Sequence, residues 1–192
     1  MKLRRHMIIG CPQNHQKDVL PRVPNQYDVF INHRGIDTKR NMASLLYHQL
    51  SRLNARPFLD KNTMKPGDNL FKGIENAIRD CKVGVAVFSP HYGESYYCLL
   101  ELALMMEYKK KIIPVFFDIM PAELQIVDHE GIYCTPDELE RFNRALEEAK
   151  SSAGLVFNSS NGNWSDVLTK TTDIVMRSLT EVEGEQQKHW SL

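Results

Sequence analysis

A chain of 192 residues is about one ordinary domain with a short extension, long enough to bury a core of its own. Lysine plus arginine number 24 and aspartate plus glutamate number 24, so the cationic excess of a protein that grips a nucleic-acid backbone is missing. The four cysteines, Cys11, Cys81, Cys98 and Cys134, show neither C-x-x-C spacing nor disulfide-rich density, which fits buried or free thiols in a reducing, cytosolic compartment.

Residues 1–26 carry Lys2, Arg4 and Arg5 and a brief apolar run at Met7, Ile8 and Ile9, too short for a membrane span or a secretory core. With Pro12, Pro21 and Pro24 they read as a flexible arm, and no other stretch is apolar for long enough to form a transmembrane helix. From Tyr27 onward, short β-branched and aromatic runs alternate with longer stretches of helical period, the pattern of βαβ units around a parallel sheet. Strands are expected at 28–31, 56–59, 83–88, 112–117 and 155–157. Between the first two, Met42, Leu45, Leu46, Gln49, Leu50 and Leu53 form a helical stripe, with Asp37 or Thr38 placed to cap it. A second stripe runs through Leu70, Phe71, Ile74, Ala77 and Ile78. Thr135-Pro136-Asp137-Glu138 is a capping box with proline at the first helical position, ahead of Leu139, Phe142 and Leu146. The sequons at Asn158 and Asn163 have no bearing in a cytosolic chain. A last helix is expected over 164–179 on Val167, Leu168, Ile174 and Val175, and residues 181–192 read as a frayed polar tail. Neither an internal repeat nor a low-complexity tract is present.

In an open parallel sheet the ligand crevice lies beyond the carboxyl ends of the strands, where the strand order reverses. Three segments follow strands. His33, Arg34 and Gly35 follow the first; read alone they are either an ordinary turn or a guanidinium with close backbone approach to a phosphate. Residues 61–68 follow the second and contain Lys65-Pro66-Gly67-Asp68, a chain reversal long enough to be mobile or interfacial. Residues 89–101 follow the third. Here Glu101 stands beside Leu100 and Leu102 in an apolar, aromatic helix, either as an exposed position or in a functional pocket. Tyr97 lies four residues earlier on the same face, so a flat ring and an anion look into one space that suits a positively charged heterocycle.

These segments, in this order, resemble the plant branch of the TIR (Toll/interleukin-1 receptor) domain family. Tyr27-Asp28-Val29-Phe30-Ile31-Asn32-His33-Arg34-Gly35-Ile36-Asp37-Thr38 is similar to the opening motif YDVFxSFRGxDT, and Lys65-Pro66-Gly67-Asp68 resembles the second-box loop. Ser89-Pro90-His91-Tyr92-Gly93-Glu94-Ser95-Tyr96-Tyr97-Cys98-Leu99-Leu100-Glu101-Leu102 is similar to SxxYxxSxWCLxEL. The likeness spans residues 27–180. No nucleotide-binding or leucine-rich repeat module follows in the sequence, so the resemblance is to the TIR-only type.

The resemblance implies an α/β, flavodoxin-like three-layer fold with a five-stranded parallel sheet. It further implies cleavage of NAD⁺ or NADP⁺ at the nicotinamide glycosidic bond, giving ADP-ribose or a cyclic isomer, without a cofactor or metal. The family's catalytic glutamate falls on Glu101. By the same carry-over His33, Arg34 and Gly35 line the dinucleotide, Ser95 stands near it, and Tyr97 stacks on a ring. Lys65, Pro66, Gly67 and Asp68 complete a neighbour's site, which makes the protein a homo-oligomer that also meets other TIR domains. Tyrosine replaces the motif's tryptophan at position 97 and histidine replaces phenylalanine at position 33, while the family's Ser-His pair on the first helix reads Ser44-Leu45. Stacking survives on tyrosine with less contact area, and His33 adds a titratable group beside the site. The product is expected to signal in plant immunity and cell death, in the cytoplasm or nucleus. Two other functions known in the family are a non-catalytic TIR scaffold and a nucleic-acid-dependent 2′,3′-cyclic nucleotide synthetase; the balanced charge argues against the second.

Overall fold

The computed structural model describes residues 26–59, 70–127 and 135–189. Five strands, β1 (Val29–His33), β2 (Pro57–Phe58), β3 (Val83–Phe88), β4 (Lys111–Phe117) and β5 (Leu155–Phe157), form one sheet. Its order is β2-β1-β3-β4-β5 and every pairing is parallel. Around it lie α1 (Gly35–Thr38), α2 (Met42–Arg52), α3 (Leu70–Asp80), α4 (Tyr96–Glu107), α5 (Pro136–Ser151) and α6 (Trp164–His189), with a 3-10 turn at Tyr92–Glu94.

Alternation along the strands sends successive side chains to opposite faces, which gives two cores and three layers. Phe30, Ala86, Phe88 and Phe116 meet α3, α4 and α5 on one face. Val29, Ile31, Val83, Val85, Val87 and Val115 meet α2 and α6 on the other. Polar Asn32, fully buried near the end of β1, shares the face of Phe30, and so points toward α4.

The expected three-layer, flavodoxin-like fold is present, with several differences at element boundaries. β1 starts at Val29 and continues through Asn32 and His33, because those residues stay in register with Ala86 and Val87 of β3. β2 shrinks to two residues at the sheet edge, and β4 gains Lys111. Neither Asp37 nor Thr38 caps α2: Asn41 does, its side chain accepting from the Met42 amide at 2.6 Å. Of the α2 stripe, Met42, Leu46 and Leu50 are buried, whereas Leu45 and Leu53 are 43% and 47% exposed, since Ala43 takes the core-facing position instead. Thr135 and Glu138 form the expected capping box on α5.

The polar tail is corrected over 181–189, which continue α6 to His189. Val182 packs on the α2/α6 core, Lys82 donates to Glu183 at 2.6 Å, and Lys111 pairs with Glu181, so tertiary contacts hold a stretch that lacks an apolar stripe. The arm over 1–25, the end of the tail at 190–192, Cys11, Cys134 and the loop residues Lys65, Pro66, Gly67 and Asp68 lie outside the described residues. Cys81 and Cys98 are free, buried thiols.

Candidate active site

The chain runs from β1 outward to β2, then returns to β3 on the other side of β1, so the connections leaving β1 and β3 diverge at the carboxyl end of the sheet. A cavity of about 900 Å³ opens there, between the segment after β1, α3 and the start of α4. His33, Arg34, Gly35, Ser95, Tyr97 and Glu101, all named from the sequence, line it together.

Glu101 sits in the second turn of α4, half-buried in the cavity wall. Its Oε2 accepts from Asn32 Nδ2 at 2.8 Å, and the same amide nitrogen donates to the Cys98 carbonyl at 3.2 Å. The buried Tyr92 hydroxyl donates to Asn32 Oδ1 and lies 3.1 Å from the Cys98 carbonyl. Burial, with the nearby Glu101 charge, pushes the Tyr92 hydroxyl well above its ordinary pKa, so it stays protonated and remains a donor. Burial likewise pushes the Cys98 thiol up to about 12, which removes it as a nucleophile at neutral pH.

Ser95 caps α4, its hydroxyl accepting from the Cys98 amide at 3.4 Å, and Arg34 Nη1 reaches the same oxygen at 3.4 Å. Arg34 Nε is buried and has no hydrogen-bond partner among the described residues. With Nη1 beside Ser95 and Nε closed off from solvent, the Arg34 guanidinium lines the cavity as a positioned positive charge that suits an anionic ligand. His33 Nδ1 is 3.0 Å from Thr38 Oγ1, and Thr38 spends its own proton on the Arg34 carbonyl, so Nδ1 carries the imidazole proton in that bond. A Cβ on Gly35 would meet nothing within 4 Å, leaving the backbone there open to the cavity.

Tyr97 is 61% exposed, and its ring centroid lies 6.4 Å from that of Phe71, at 65°. The two rings stand at the cavity mouth with Ile36, which is 70% exposed. Phe71 is a correction: helical period places it in the α3 core stripe, but it is half-exposed and lines the cavity. Asn32 and Tyr92 stood inside the motifs quoted above without a site role, because the bonds that link them to each other and to Glu101 join residues 60 and 69 apart in sequence. A lone asparagine in a run of buried strand residues is the one signal that pointed to a polar partner. Among the described residues no three His, Cys, Asp or Glu side chains gather as metal ligands.

A model of the TIR domain family matches residues 26–180. The chain belongs to the TIR domain family. Over 167 residues it is 46% identical to "Probable 2' cyclic ADP-D-ribose synthase BdTIR" of Brachypodium distachyon, covering 85% of this chain and 74% of that one. It is 31% identical over 142 residues to "TMV resistance protein N" of Nicotiana glutinosa, covering 67% of this TIR chain and 12% of that longer protein. Among solved structures, the TIR domains in "Structure of the activated Roq1 resistosome directly recognizing the pathogen effector XopQ" superpose with a TM-score of 0.65 at 26% identity, covering 78% of this chain and 99% of that one. The TIR fold so matched is the five-stranded parallel sheet described above.

Proposed function

We propose that this TIR protein cleaves the nicotinamide glycosidic bond of NAD⁺ or NADP⁺ and converts the ribosyl cation to ADP-ribose or to a cyclic ADP-ribose isomer. The observation that carries the reading is the pairing, in one cavity, of the Glu101 carboxylate, held by the Asn32 amide, with an exposed aromatic ring one helical turn away at Tyr97. The relative whose name specifies a 2′ cyclic ADP-ribose synthase supports the cyclic product.

The chemistry needs little from the protein beyond charge and enclosure. When the bond between ribose C1′ and the ring nitrogen breaks, the electron pair stays on nitrogen, so nicotinamide leaves neutral and needs no general acid. Positive charge passes to C1′ and the ring oxygen of the ribose, where the Glu101 carboxylate stabilises it. On NAD⁺, water attacking C1′ and releasing a proton to solvent gives ADP-ribose, and the 2′-hydroxyl of the adenosine ribose doing the same gives the cyclic isomer; on NADP⁺, whose 2′-oxygen carries the phosphate, that 2′ ring closure is blocked and water gives the 2′-phosphate of ADP-ribose. Tyr97 stacks on the departing ring, and excluding water behind it favours ring closure. Arg34 sets its guanidinium charge beside the diphosphate, with Ser95 next to the guanidinium and with Gly35 and His33 lining the same part of the cavity.

Lys65, Pro66, Gly67 and Asp68 are assigned to the site of a neighbouring copy, which makes turnover depend on self-association. The resistance protein and the resistosome among the similar proteins support a signalling role in plant immunity and cell death. No described helix is long and apolar enough to cross a membrane, and we place the activity in the cytoplasm or nucleus.

The decisive experiment incubates concentrated protein with NAD⁺ and with NADP⁺ and follows nicotinamide release and product mass by chromatography, beside Glu101→Ala. Loss of a single charge-stabilising group is expected to cost at least about 10²-fold in turnover while the fold is kept. No nicotinamide release from wild-type assemblies, or equal release from Glu101→Ala, sinks the reading and leaves a scaffold.

A further inference from the structure

We infer that Asn32 is a positioning residue for Glu101, held in its working orientation by the Tyr92 hydroxyl, so that a buried Tyr92–Asn32–Glu101 chain sets where the carboxylate stands. This deepens the reading of Glu101 as the group facing the ribosyl cation and rests on it. Asn32 is completely buried, and an amide so placed is costly unless its polar atoms are used. Both ends are used: Nδ2 serves Glu101 Oε2 at 2.8 Å and the Cys98 carbonyl at 3.2 Å, and Oδ1 receives the Tyr92 hydroxyl.

The orientation of the amide is forced by its partners. An ionised carboxylate and a backbone carbonyl can only accept, so the nitrogen must face them. Turning the amide over would set its oxygen against two acceptors. The tyrosine hydroxyl, able to donate, is the partner that suits Oδ1. Because Asn32 belongs to β1, paired on both sides by β2 and β3, the donor it offers is fixed to the sheet and not to the helix that carries Glu101. The opening motif that residues 27–38 resemble has serine here, where this chain carries asparagine.

Asn32→Leu tests the inference. Leucine keeps the branched skeleton, with bulkier methyls in place of the amide, and removes the donor, and the Tyr92 hydroxyl still has the Cys98 carbonyl at 3.1 Å, so no buried hydroxyl is stranded. Expected are a fall in kcat of at least about tenfold with KM little changed, because the substrate contacts of Arg34 and Tyr97 remain, and a displaced Glu101 carboxylate in a crystal structure of the variant. Tyr92→Phe, which deletes one oxygen from the core, is expected to lower kcat less, again at constant KM; it decides the matter if Asn32→Leu does not fold. Wild-type kcat in the folded variants, or a fall that lies in KM alone, overturns the inference. If wild-type protein shows no Glu101-dependent turnover, the proposed function fails, and the crystal structure still decides this point: a moved Glu101 supports it and an unmoved one overturns it.

Discussion

Asp37 shows how one side chain can hold the rim of the cavity in place. Its Oδ2 accepts from Ser89 Oγ at 2.6 Å and from the His91 amide at 3.0 Å, and its Oδ1 pairs with His91 Nδ1 at 2.8 Å, joining the segment after β1 to the segment after β3. Burial pushes the Asp37 carboxyl up, but the bonds from Ser89 and His91 and the His91 charge outweigh it and leave the pKa below 3.8. The bond to Asp37, and then its charge, raise His91 above 6.5. The signs differ. A lowered acid contributes stability above its unfolded value near 3.8 and loses it as pH falls through the folded one; a raised histidine contributes fully below 6.5 and loses it as pH rises through its folded value. The clamp is therefore strongest between those limits. The difference in melting temperature between wild type and His91→Gln is expected to be larger at pH 6 than at pH 8.5, and a difference that grows with pH would refute the pairing. Because His91 is half-exposed, the effect is small and shrinks with added salt.

At the scale of elements, α5 offers a test of local sequence logic. Thr135 Oγ1 accepts from the Glu138 amide at 3.3 Å, and Glu138 Oε2 accepts from the Thr135 amide at 2.8 Å. Thr135→Ala is expected to cost about 1 kcal/mol, read as a melting temperature lower by roughly 2–4 °C for a domain of this size, with nicotinamide release unchanged because α5 does not border the cavity. This cap was legible because all its parts lie within four residues. The strands were legible for a related reason: Val83 to Phe88 is a short run rich in valine with no polar alternation, the pattern of a strand covered on both faces, and the structure buries all six residues. Helical spacing put Glu101 and Tyr97 on one face but left Glu101 open between an exposed position and a pocket; the likeness to the TIR motif is what singled it out. What the chain concealed depends on distance in sequence. Asn32 extends β1 because of its partner strand, Phe71 leaves the core because α3 overhangs the cavity, and 181–189 are helical because lysines 82 and 111 wait at the far side of the sheet.

The molecule as a whole has two unlike poles. The cavity occupies the carboxyl end of the sheet, and its aromatic mouth of Tyr97, Phe71 and Ile36 faces outward. If a neighbouring copy supplies Lys65, Pro66, Gly67 and Asp68 there, turnover per molecule rises with protein concentration; a specific activity flat across dilution would show that each copy works alone. At the opposite pole, Asp28 before β1 meets Arg56 at 2.8 Å and Lys82 at 3.2 Å, and Lys82 continues to Glu183 near the end of α6. Tyr27 sits at the same end, edge-on to Phe58 with ring centroids 5.0 Å apart. Both ends of the described domain thus leave from the base, fastened by one lysine. A dye or a surface tether attached beside Tyr27 or on the turn of α6 that carries Glu183 lies below the sheet and away from the mouth, so the protein can be labelled or clustered from its base while substrate comes and goes above.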